Sequence, residues 1–406
     1  MDNSKHKIML IEPPFYRLYS DTLSLDRYPL ALGYLAGTIK RETEWSVMAY
    51  NADFNQQSEL PKLSYLTGAG YYNYLSNLKN LSAPVWGDIK AAISAYKPTV
   101  VGISTKSQNF ASACIVAKIA KEIDRRIIVM VGGPHPSMAG QQTLNCADID
   151  ICVRGEGERT IVELLHYIEK GMLLEQVKGI IFKQNGQKFE TAPRGLIEDL
   201  DSLCFPGESA PEVLKDYNKY PRKAFRSIFA TRGCPYECFF CGSHNIWTRK
   251  IRFRSPTNVV AEIQSIKMRG IQLIRFDDDI FGVTKKHANE LCDALIMNCR
   301  GLKWSCELNV RLVDDRMISS MKKAGCYSID LGIESGNNEM LKKIKKNITI
   351  EEAFKACKTI KKNNIDLNTF FMVGFPQETK ETLKDTFSAI KNIKCNKVIY
   401  GIFTHY

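Results

Sequence analysis

The stretch Thr231-Arg-Gly-Cys-Pro-Tyr-Glu-Cys-Phe-Phe-Cys-Gly-Ser243 contains Cys234, Cys238 and Cys241 with the spacing C-x3-C-x2-C. A short loop brings three thiolates together at little entropic cost, so they can bind one metal centre. Three is one fewer than the usual four protein ligands of an iron–sulfur cluster, and a 4Fe–4S cluster held in this way keeps one iron open to a non-protein ligand. Two alternatives remain open, which are three inert buried thiols and a zinc site completed by His244.

Strand-like and helix-like segments alternate through the second half of the chain, with a period of roughly 30–45 residues. This alternation predicts a partial (β/α)6 TIM-like barrel, whose functional groups gather at the carboxyl ends of its strands. The cysteine loop and several polar turns follow those strand ends. The predicted strands are 225–231, 272–276, 303–309, 327–333, 367–373 and 397–403.

The first half of the chain alternates in the same way and predicts an α/β fold, a Rossmann-like doubly wound parallel sheet. Ligands of such sheets bind outside the carboxyl ends of the strands. The turns at those ends are Pro13-Pro14, Ser104-Thr105, 132–137 and 155–158. The predicted strands are 7–12, 45–49, 99–104, 127–131 and 149–153, and residues 55–85 are predicted to form an inserted loop with short helices.

We divide the chain into a domain of residues 1–172, an ordered connector of residues 173–222 and a second domain of residues 223–406. The connector contains a predicted β-hairpin over 179–190 with Asn185-Gly186 at its turn. The chain stops three residues after its sixth barrel strand. We therefore expect a C-terminally truncated or partial sequence.

Composition excludes some classes of protein. The chain has 406 residues, 13 cysteines and a net charge of +12. No apolar run reaches the ~20 residues of a membrane span, and the polar N-terminus lacks the apolar region of a signal peptide. We expect a cytoplasmic protein with reduced thiols and no disulfide framework. The lysine run at 342–346 is interpreted as a solvated helix end, with attraction to nucleic acid or an anionic substrate as the alternative.

The first half resembles the cobalamin-binding domains attached to radical S-adenosylmethionine enzymes. The resemblance rests on residues 28–36 (YPLALGYLA), 101–104 (VGIS), 132–136 (GGPHP) and 154–158 (RGEGE). The full Asp-x-His-x-x-Gly fingerprint is absent, since that position reads Glu12-Pro-Pro-Phe-Tyr16. The resemblance implies base-off cobalamin without a protein histidine ligand, or a domain that has lost this cofactor. The implied cobalamin-binding residues are Ser104, Thr105, Gly132, Gly133, His135, Gly155 and Glu156.

Two roles stay open in that half. His135 is either a ligand contact or a loop histidine that orients its own turn. Glu156 and Glu158 are either acids at a helix N-terminus or groups that face the active site.

The second half resembles the radical S-adenosylmethionine superfamily, on the cysteine motif, the later Asp-Asp turn and the Gly-x-Glu-Ser-Gly turn. The resemblance covers roughly residues 223–406 and implies that the three cysteines hold a 4Fe–4S cluster whose open iron binds S-adenosylmethionine. Asp277–Asp279 replace the usual Gly-Gly-Glu turn, so the acting acid is open, with a helix-capping turn as the alternative. The implied S-adenosylmethionine-binding residues are Phe240, Asp277, Asp278, Asp279, Arg311, Glu334, Ser335, Gly374 and Pro376.

Two of these residues have structural alternatives, a surface ion pair for Arg311 and a capping role for Glu334. The resemblance further implies a 5′-deoxyadenosyl radical, and methyl transfer to an unactivated carbon or phosphorus as the reaction. It implies as partners a small-molecule substrate, whose class no stretch identifies, and an electron donor such as flavodoxin or ferredoxin. The alternatives are a cobalamin-free radical enzyme that catalyses cyclisation or another rearrangement, and a metal-stabilised RNA-binding module.

Overall fold

The computed structural model describes residues 6–24, 26–56, 59 and 63–403. The chain divides into two compact units, Met1–Ile197 with Ser202–Phe225, and Glu198–Asp201 with Arg226–Tyr406. The first five residues of the N-terminus and the last three residues of the chain, which bear on the predictions about a leader and a truncation, lie outside the described residues. Within the described residues no helix is long and apolar enough to cross a membrane.

The first unit is built on a seven-stranded sheet. Its strands are β1 Lys7–Glu12, β2 Ser46–Asn51, β3 Val100–Ser104, β4 Ile128–Gly132, β5 Ile151–Val153, β6 Ile180–Gln184 and β7 Gln187–Glu190. They lie in the order β2-β1-β3-β4-β5-β6-β7. The first five strands are parallel, as the alternating pattern predicts, whereas β6 and β7 are antiparallel.

Helices pack against this sheet and bury the apolar side chains of its strands. The central strands β1, β3 and β4 are buried along most of their length, which is typical of a parallel sheet whose faces are covered by helices. The helix over the apolar stretch that follows Tyr28 begins at Leu30, with Pro29 as its N-cap. The helices are α1 Tyr16–Tyr19, α2 Leu30–Glu42, α3 Leu63–Leu66, α4 Ala69–Lys79, α5 Pro84–Tyr96, α6 Phe110–Ile123, α7 Pro134–Ala139, α8 Glu158–Lys170 and α9 Pro206–Val213.

The segment predicted as a connector contributes to the first sheet. Its hairpin forms at the predicted turn, where Asn185 and Gly186 both have positive φ. Because β6 pairs with β5, the hairpin extends the sheet of the first unit. The first unit therefore includes most of 173–222, and only residues 198–201 of that segment group with the second unit.

The second unit contains a six-stranded parallel sheet wrapped by helices, the partial (β/α)6 barrel predicted from the repeat. Its strands and helices are β8 Ser227–Ile228, β9 Thr231–Arg232, α10 His244–Trp247, β10 Arg252–Phe253, α11 Pro256–Met268, β11 Leu273–Phe276, α12 Lys285–Asn298, β12 Lys303–Asn309, α13 Asp315–Lys323, β13 Cys326–Glu334, α14 Asn338–Lys343, α15 Ile350–Lys362, β14 Asp366–Val373, α16 Lys380–Ile393 and β15 Lys397–Ile402. The six-stranded sheet has the order β15-β14-β13-β12-β11-β8.

Side-chain caps fix where the helices of this unit begin. Ser255, Thr284, Asp314, Thr349 and Thr379 each accept a hydrogen bond from a backbone N–H in the first turn of the helix that follows. Each such cap contributes about 1 kcal/mol to stability. The caps hold the chain direction at the points where strands turn back into helices.

The first barrel strand is shorter than predicted. The segment 225–231 divides into β8, which pairs with β11, and β9, which pairs antiparallel with β10 in a separate ribbon. Asp278 causes this break, because its Oδ1 accepts the backbone N–H groups of Ala230 and Thr231 at 2.7 and 3.0 Å. Those donors are therefore not available to continue the barrel sheet.

Candidate functional site

The cysteine loop follows β9 at the carboxyl end of the first barrel strand. Gly233 enters the loop with φ +102°, and a Cβ at this position would lie 2.1 Å from the carbonyl oxygen of Lys250. Only glycine permits this close approach of two backbone segments. The far side of the loop is fixed by the N–H of Phe239, which donates to the carbonyl oxygen of Ile344 at 2.9 Å.

The thiols of Cys234, Cys238 and Cys241 are partly exposed, unlike the buried thiols of the barrel core. Burial raises the pKa of all three, that of Cys234 to about 11, and each lies within electrostatic range of at least one of the others. Their partial exposure argues against the inert-thiol alternative, because inert cysteines are normally buried. The thiols are neutral at pH 7 and would lose their protons on binding metal.

The zinc alternative does not fit this geometry. Among the described residues, no three His, Cys, Asp or Glu side chains converge closely enough to bind a single ion. His244, the expected fourth ligand, is exposed, and its Nδ1 donates to the carbonyl oxygen of Cys241 at 3.0 Å. A 4Fe–4S cluster needs no such convergence, since each thiolate binds a different iron. The three thiols therefore fit a cluster better than a single ion.

Lys346 and Glu334 form a buried ion pair beside the loop. The Nζ of Lys346 lies 3.0 Å from Oε1 of Glu334, and both residues are 7% exposed. Burial by itself would lower the pKa of Lys346, but the Glu334 carboxylate, and Cys238 and Cys241 in their thiolate forms, raise it above its ordinary value. A permanent cation therefore stands beside two of the three cysteines.

The role of Lys346 was not predicted from the sequence. The run 342–346 was interpreted as a solvated helix end, and this is correct for Lys342, Lys343 and Lys345 but wrong for Lys346. The helix has already ended at Lys343, so the chain alternates sides from there. Ile344, Lys346 and Ile348 point inward. The period-two spacing of the two isoleucines was the available signal.

Each residue of the Gly-x-Glu-Ser-Gly turn has a distinct structural role. A Cβ at Gly332 would lie 2.7 Å from Oε1 of Glu334, so this glycine leaves room for the ion pair. Glu334 itself has φ +77°, a strained conformation for a residue with a side chain. A Cβ at Gly336 would lie 2.6 Å from the backbone of α16. The turn therefore places the Glu334 carboxylate beside the cysteines and excludes a simple capping role.

Ser335 is occupied within the fold. Its side chain is fully buried, and its Oγ lies 3.3 Å from Oγ1 of Thr386 and accepts the N–H of Asn337 at 3.2 Å. These contacts anchor the turn to α16. Ser335 therefore has a role in packing, and its predicted contact with S-adenosylmethionine stays a prediction.

The three aspartates after β11 have different interaction partners. Asp277 accepts a hydrogen bond from Arg275 at 2.9 Å, and Asp278 is buried against β8 as described above. Burial raises the pKa of Asp279, and the Ser243 hydroxyl and the Gly233 amide oppose this shift. Of the three, Asp279 adjoins the cysteine loop, whereas Asp278 organises backbone. The helix-capping alternative is wrong for all three, because Thr284 caps the helix that follows.

Three further predicted residues lie near the cysteine loop, which are Arg311, Phe240 and Pro376. The exposed guanidinium of Arg311 lies 5.2 Å from the ring centroid of Tyr236, within the cysteine loop. No ion pair of Arg311 occurs among the described residues, which argues against the surface-pair alternative. Phe240 contacts the ring of Phe375 at 5.9 Å, next to the exposed Pro376.

Gly374 directly follows β14, the fifth strand of the barrel sheet. It has φ +86°, and its N–H donates to Oε2 of Glu378 at 2.6 Å. This bond fixes the turn that follows β14.

A polar network missed by the sequence analysis lies between the barrel strands. Arg275 contacts Asp277, Glu307 and Asp330 at 2.7–2.9 Å. Burial raises the pKa of Glu307, with Arg275 opposing. One guanidinium thus holds three carboxylates, which leaves this part of the barrel acidic. Arg275, Glu307 and Asp330 lie on β11, β12 and β13 and belong to no sequence motif. Only the register of the strands brings them together.

The carboxyl edge of the first sheet holds the residues expected to bind cobalamin. A Cβ at Gly133, which has φ +107°, would lie 2.9 Å from the carbonyl oxygen of Thr105, so the turns after β3 and β4 are in close contact. His135 stacks on Phe110 at 4.0 Å, and its Nδ1 lies 3.0 Å from Oγ of Ser107. His135 therefore links the turn after β4, to which it belongs, with the turn after β3. Its role is not limited to orienting its own turn.

Three other predicted residues of this edge make hydrogen bonds within the fold. Thr105 is 1% exposed, and its Oγ1 donates to Oδ1 of Asn109 at 3.1 Å. Glu156 accepts the N–H of Ile197 at 2.7 Å, and Gly155 donates to Oγ of Ser137 at 3.0 Å. Glu156 is therefore not a helix cap. Glu158 lies in the first turn of α8, where an acid is favoured.

Ser104 and Gly132 pair directly across β3 and β4, so they mark the same edge. The strand order changes direction between β1 and β3, which is where ligands bind in open α/β sheets. Glu12 ends β1 at that point, and burial raises its pKa to about 7. β1 itself carries no histidine, and Glu12 at its end lies within electrostatic range of Lys106, Asp53 and Arg27. This set fits a cofactor that takes no histidine ligand from that strand.

Fold and site together define a two-unit α/β protein with an open three-thiol loop on a parallel barrel. Comparison with known families agrees with this class. The radical SAM superfamily model matches residues 228–390, and the B12 binding domain model matches residues 16–165. The chain belongs to the radical S-adenosylmethionine enzymes that also carry a B12-binding domain, and its family cofactors are a 4Fe–4S cluster, S-adenosylmethionine and cobalamin.

Curated relatives and a solved structure align along most of this chain. An uncharacterised methyltransferase of Pyrococcus horikoshii is 29% identical over 98% of this chain and 81% of its own length. The anaerobic magnesium-protoporphyrin IX monomethyl ester cyclase of Rubrivivax gelatinosus is 30% identical over 78% of this chain, which spans only 58% of that relative. The structure of the methyltransferase TsrM of Kitasatospora setae with cobalamin and a [4Fe-4S] cluster aligns with a TM-score of 0.71 at 18% identity, over 98% of this chain and 72% of that one.

Proposed function

We propose that this enzyme transfers a methyl group to an unactivated carbon or phosphorus of a small molecule, with cobalamin as the methyl carrier. The observation that carries the proposal is the combination, in one chain, of an open three-thiol loop and a B12-binding domain. The Pyrococcus relative, named a methyltransferase and matched over 81% of its length, supports the same reaction.

Cys234, Cys238 and Cys241 would hold the cluster. When bound, the cluster supplies one electron that breaks a carbon–sulfur bond of S-adenosylmethionine, and an electron donor such as flavodoxin or ferredoxin would replace that electron. The chain's own residues then bind and orient S-adenosylmethionine.

Three side chains next to the loop match the charges of S-adenosylmethionine. Asp279 offers a carboxylate to the amino group, and Lys346 and Arg311 offer cations to its carboxylate. Charge-assisted hydrogen bonds of this kind are about twice as strong as neutral ones. Of the two cations, Lys346 is the better positioned, because Glu334 holds it beside Cys238 and Cys241.

An aromatic cluster lies beside the loop. Phe239 stacks on Phe403 at 5.8 Å, Phe403 contacts Phe375 at 5.4 Å, and Phe375 contacts Phe240 at 5.9 Å. These rings place an apolar wall beside the cysteines. Exclusion of water strengthens the electrostatic contacts in the site and protects reactive intermediates.

The test is anaerobic reconstitution with iron, sulfide and cobalamin, followed by an optical spectrum and an assay for 5′-deoxyadenosine. We expect cluster absorption, bound cobalamin and 5′-deoxyadenosine formation, with the cluster lost in Cys238→Ala. A protein that forms the cluster but binds no cobalamin would contradict methyl transfer by this route. A protein whose spectrum is the same with and without Cys238 would contradict the cluster assignment.

The second candidate is a cobalamin-free radical enzyme that catalyses cyclisation or another rearrangement. Glu12, in place of the fingerprint aspartate, and the cyclase relative favour it. It predicts 5′-deoxyadenosine formation that is independent of added cobalamin. The RNA-binding alternative predicts salt-sensitive RNA retention without cleavage of S-adenosylmethionine.

A further inference from the structure

Three exposed lysines, Lys342, Lys343 and Lys345, lie on the segment that packs against the cysteine loop. The segment consists of α14 and the turn after it, and the carbonyl oxygen of its Ile344 accepts the N–H of Phe239 at 2.9 Å. Phe239 belongs to the cysteine loop and is 53% exposed. The loop therefore reaches the protein surface next to the three lysines. We call Phe239 and these lysines the lysine surface.

The fold does not neutralise the charges of the lysine surface. Its three ammonium groups form no ion pair within the part of the chain that the structure describes, whereas Lys346 of the same run is buried in one. The exposed Arg311 adds a cation, since its guanidinium lies 5.2 Å from the ring centroid of a loop tyrosine. The loop and α14 each carry one exposed acid, Glu237 and Glu339. Positive charge therefore predominates beside the loop.

A redox partner has to approach the cysteine loop. An electron spent on S-adenosylmethionine must be replaced by a donor outside the chain, and electron transfer between proteins requires the two redox centres to lie close together. An exposed apolar side chain with charged groups around it matches the anatomy of a protein interface, an apolar core with a polar rim. Complementary charges steer such encounters, and redox complexes bury little surface. One aromatic ring and several cations are therefore sufficient for a short-lived complex.

We propose that the lysine surface is the docking site of the electron donor, a one-electron carrier protein with an acidic face. This inference rests on the proposed function, which makes the cysteine loop the electron acceptor. One electron leaves the reduced carrier and enters at the loop, so the carrier is oxidised by one electron and no bond of this chain forms or breaks. Nucleic acid, another polyanion that lysines attract, does not account for the position of the lysines beside Phe239 and the cysteines.

The experiment measures how fast reduced flavodoxin, an acidic one-electron carrier, reduces the cluster-loaded full chain under anaerobic conditions. The loss of cluster absorption gives the second-order rate constant. The test variant is Lys342→Glu/Lys343→Glu/Lys345→Glu. At low salt its rate constant should be about 10-fold below that of the wild type, and the difference should shrink as salt screens the charges. Glu237→Lys should change the rate constant in the opposite direction.

Two controls separate docking from damage. Lys303→Glu/Lys323→Glu/Lys397→Glu changes the net charge equally at exposed positions, where Lys303 and Lys397 begin β12 and β15 at the edge of the sheet opposite to the loop and Lys323 ends α13. Its rate constant with flavodoxin should stay within about twofold of the wild type. Reduced methyl viologen is a small cation, so the test variant should accept its electron at an unchanged or higher rate.

Equal rate constants with flavodoxin in the test and control variants would overturn the proposal, and so would a test variant that loses only salt-sensitive retention of RNA. Equal slowing with flavodoxin and with methyl viologen would also overturn it, because the substitutions would then act on the cluster. Methyl viologen also shows whether the wild type holds a reducible cluster at all. Its absence would overturn the proposed function together with the docking site, whereas the other outcomes concern the docking site alone.

Discussion

Lys346 donates to Oε1 of Glu334 at 3.0 Å, in a buried pair that fills the space left by the absent side chain of Gly332. The two residues are 12 positions apart and come from different structural contexts, the end of β13 and the segment after α14. Their contact ties the fourth barrel strand to the cysteine loop, because Phe239 also bonds to this segment through Ile344. The pair therefore joins these elements, and its Lys346 ammonium lies within electrostatic range of Cys238 and Cys241.

Lys346→Met should destabilise the second unit by about 3–5 kcal/mol, because it leaves the buried Glu334 carboxylate without its cation. The free energy of unfolding from denaturant titration measures this effect. Lys343→Met is the matched control, since that lysine is exposed in the same run, and its change should stay within about 0.5 kcal/mol.

The double variant Glu334→Gln with Lys346→Met should recover part of the lost stability, since no uncompensated charge remains buried. Equal destabilisation in Lys343→Met and Lys346→Met would show that the ion pair contributes nothing specific. A double variant less stable than Lys346→Met alone would contradict the assigned pairing.

Gly233→Ala should abolish cluster assembly, because the new Cβ would meet the Lys250 carbonyl oxygen at 2.1 Å and displace the start of the loop. Iron content and visible absorption after anaerobic reconstitution give the measurement. Gly301→Ala is the control, since Gly301 also has positive φ but open space around its Cα. The control should cost about 1 kcal/mol of stability and assemble the cluster normally. Normal iron content in Gly233→Ala would refute the role given to this glycine.

Asp279→Asn should weaken binding of S-adenosylmethionine to the cluster-loaded protein by roughly 10- to 100-fold, the loss of one charge-assisted hydrogen bond of 1.5–3 kcal/mol. Asp277→Asn should leave this affinity nearly unchanged, because Asp277 contacts Arg275. Equilibrium binding by calorimetry separates the two. The assignment fails if Asp277→Asn has the larger effect on affinity.

Asp278→Asn should change how stability depends on pH. Burial raises the pKa of Asp278 to about 7 in the folded chain, against about 3.9 in an unfolded chain. Between these values the folded state keeps a proton that the unfolded state has lost, so the stability of the wild type falls as pH rises. The asparagine variant lacks this slope, and it should gain about 2–3 kcal/mol relative to the wild type between pH 5 and pH 7.

Denaturant titrations of both proteins across that range provide the test. Glu12, whose pKa is also about 7, contributes equally to both proteins and cancels in the difference. A stability difference that stays constant with pH would show that Asp278 titrates at its ordinary pKa.

Sequence alone predicted both sheets, their strand–helix alternation, the hairpin at Asn185-Gly186 and the cysteine loop. These features follow from local signals, since apolar periodicity and turn residues act over a few positions. It missed the break between β8 and β9, because that break depends on Asp278, 47 and 48 residues away from the groups it binds. It also did not show that Ser335 anchors its turn to α16, since a motif does not show which of its residues the fold itself occupies.

What the sequence by itself determined is the set of three thiols, because C-x3-C-x2-C spacing keeps them on one short loop wherever that loop is placed. Tertiary structure alone decided which charges surround them. It selected Lys346 from a run of similar lysines and Asp279 from three adjacent aspartates. The physical reason is that burial and electrostatic contact depend on distance in space, and residues alike in sequence acquire different pKa values and roles only when the fold gives them different neighbours.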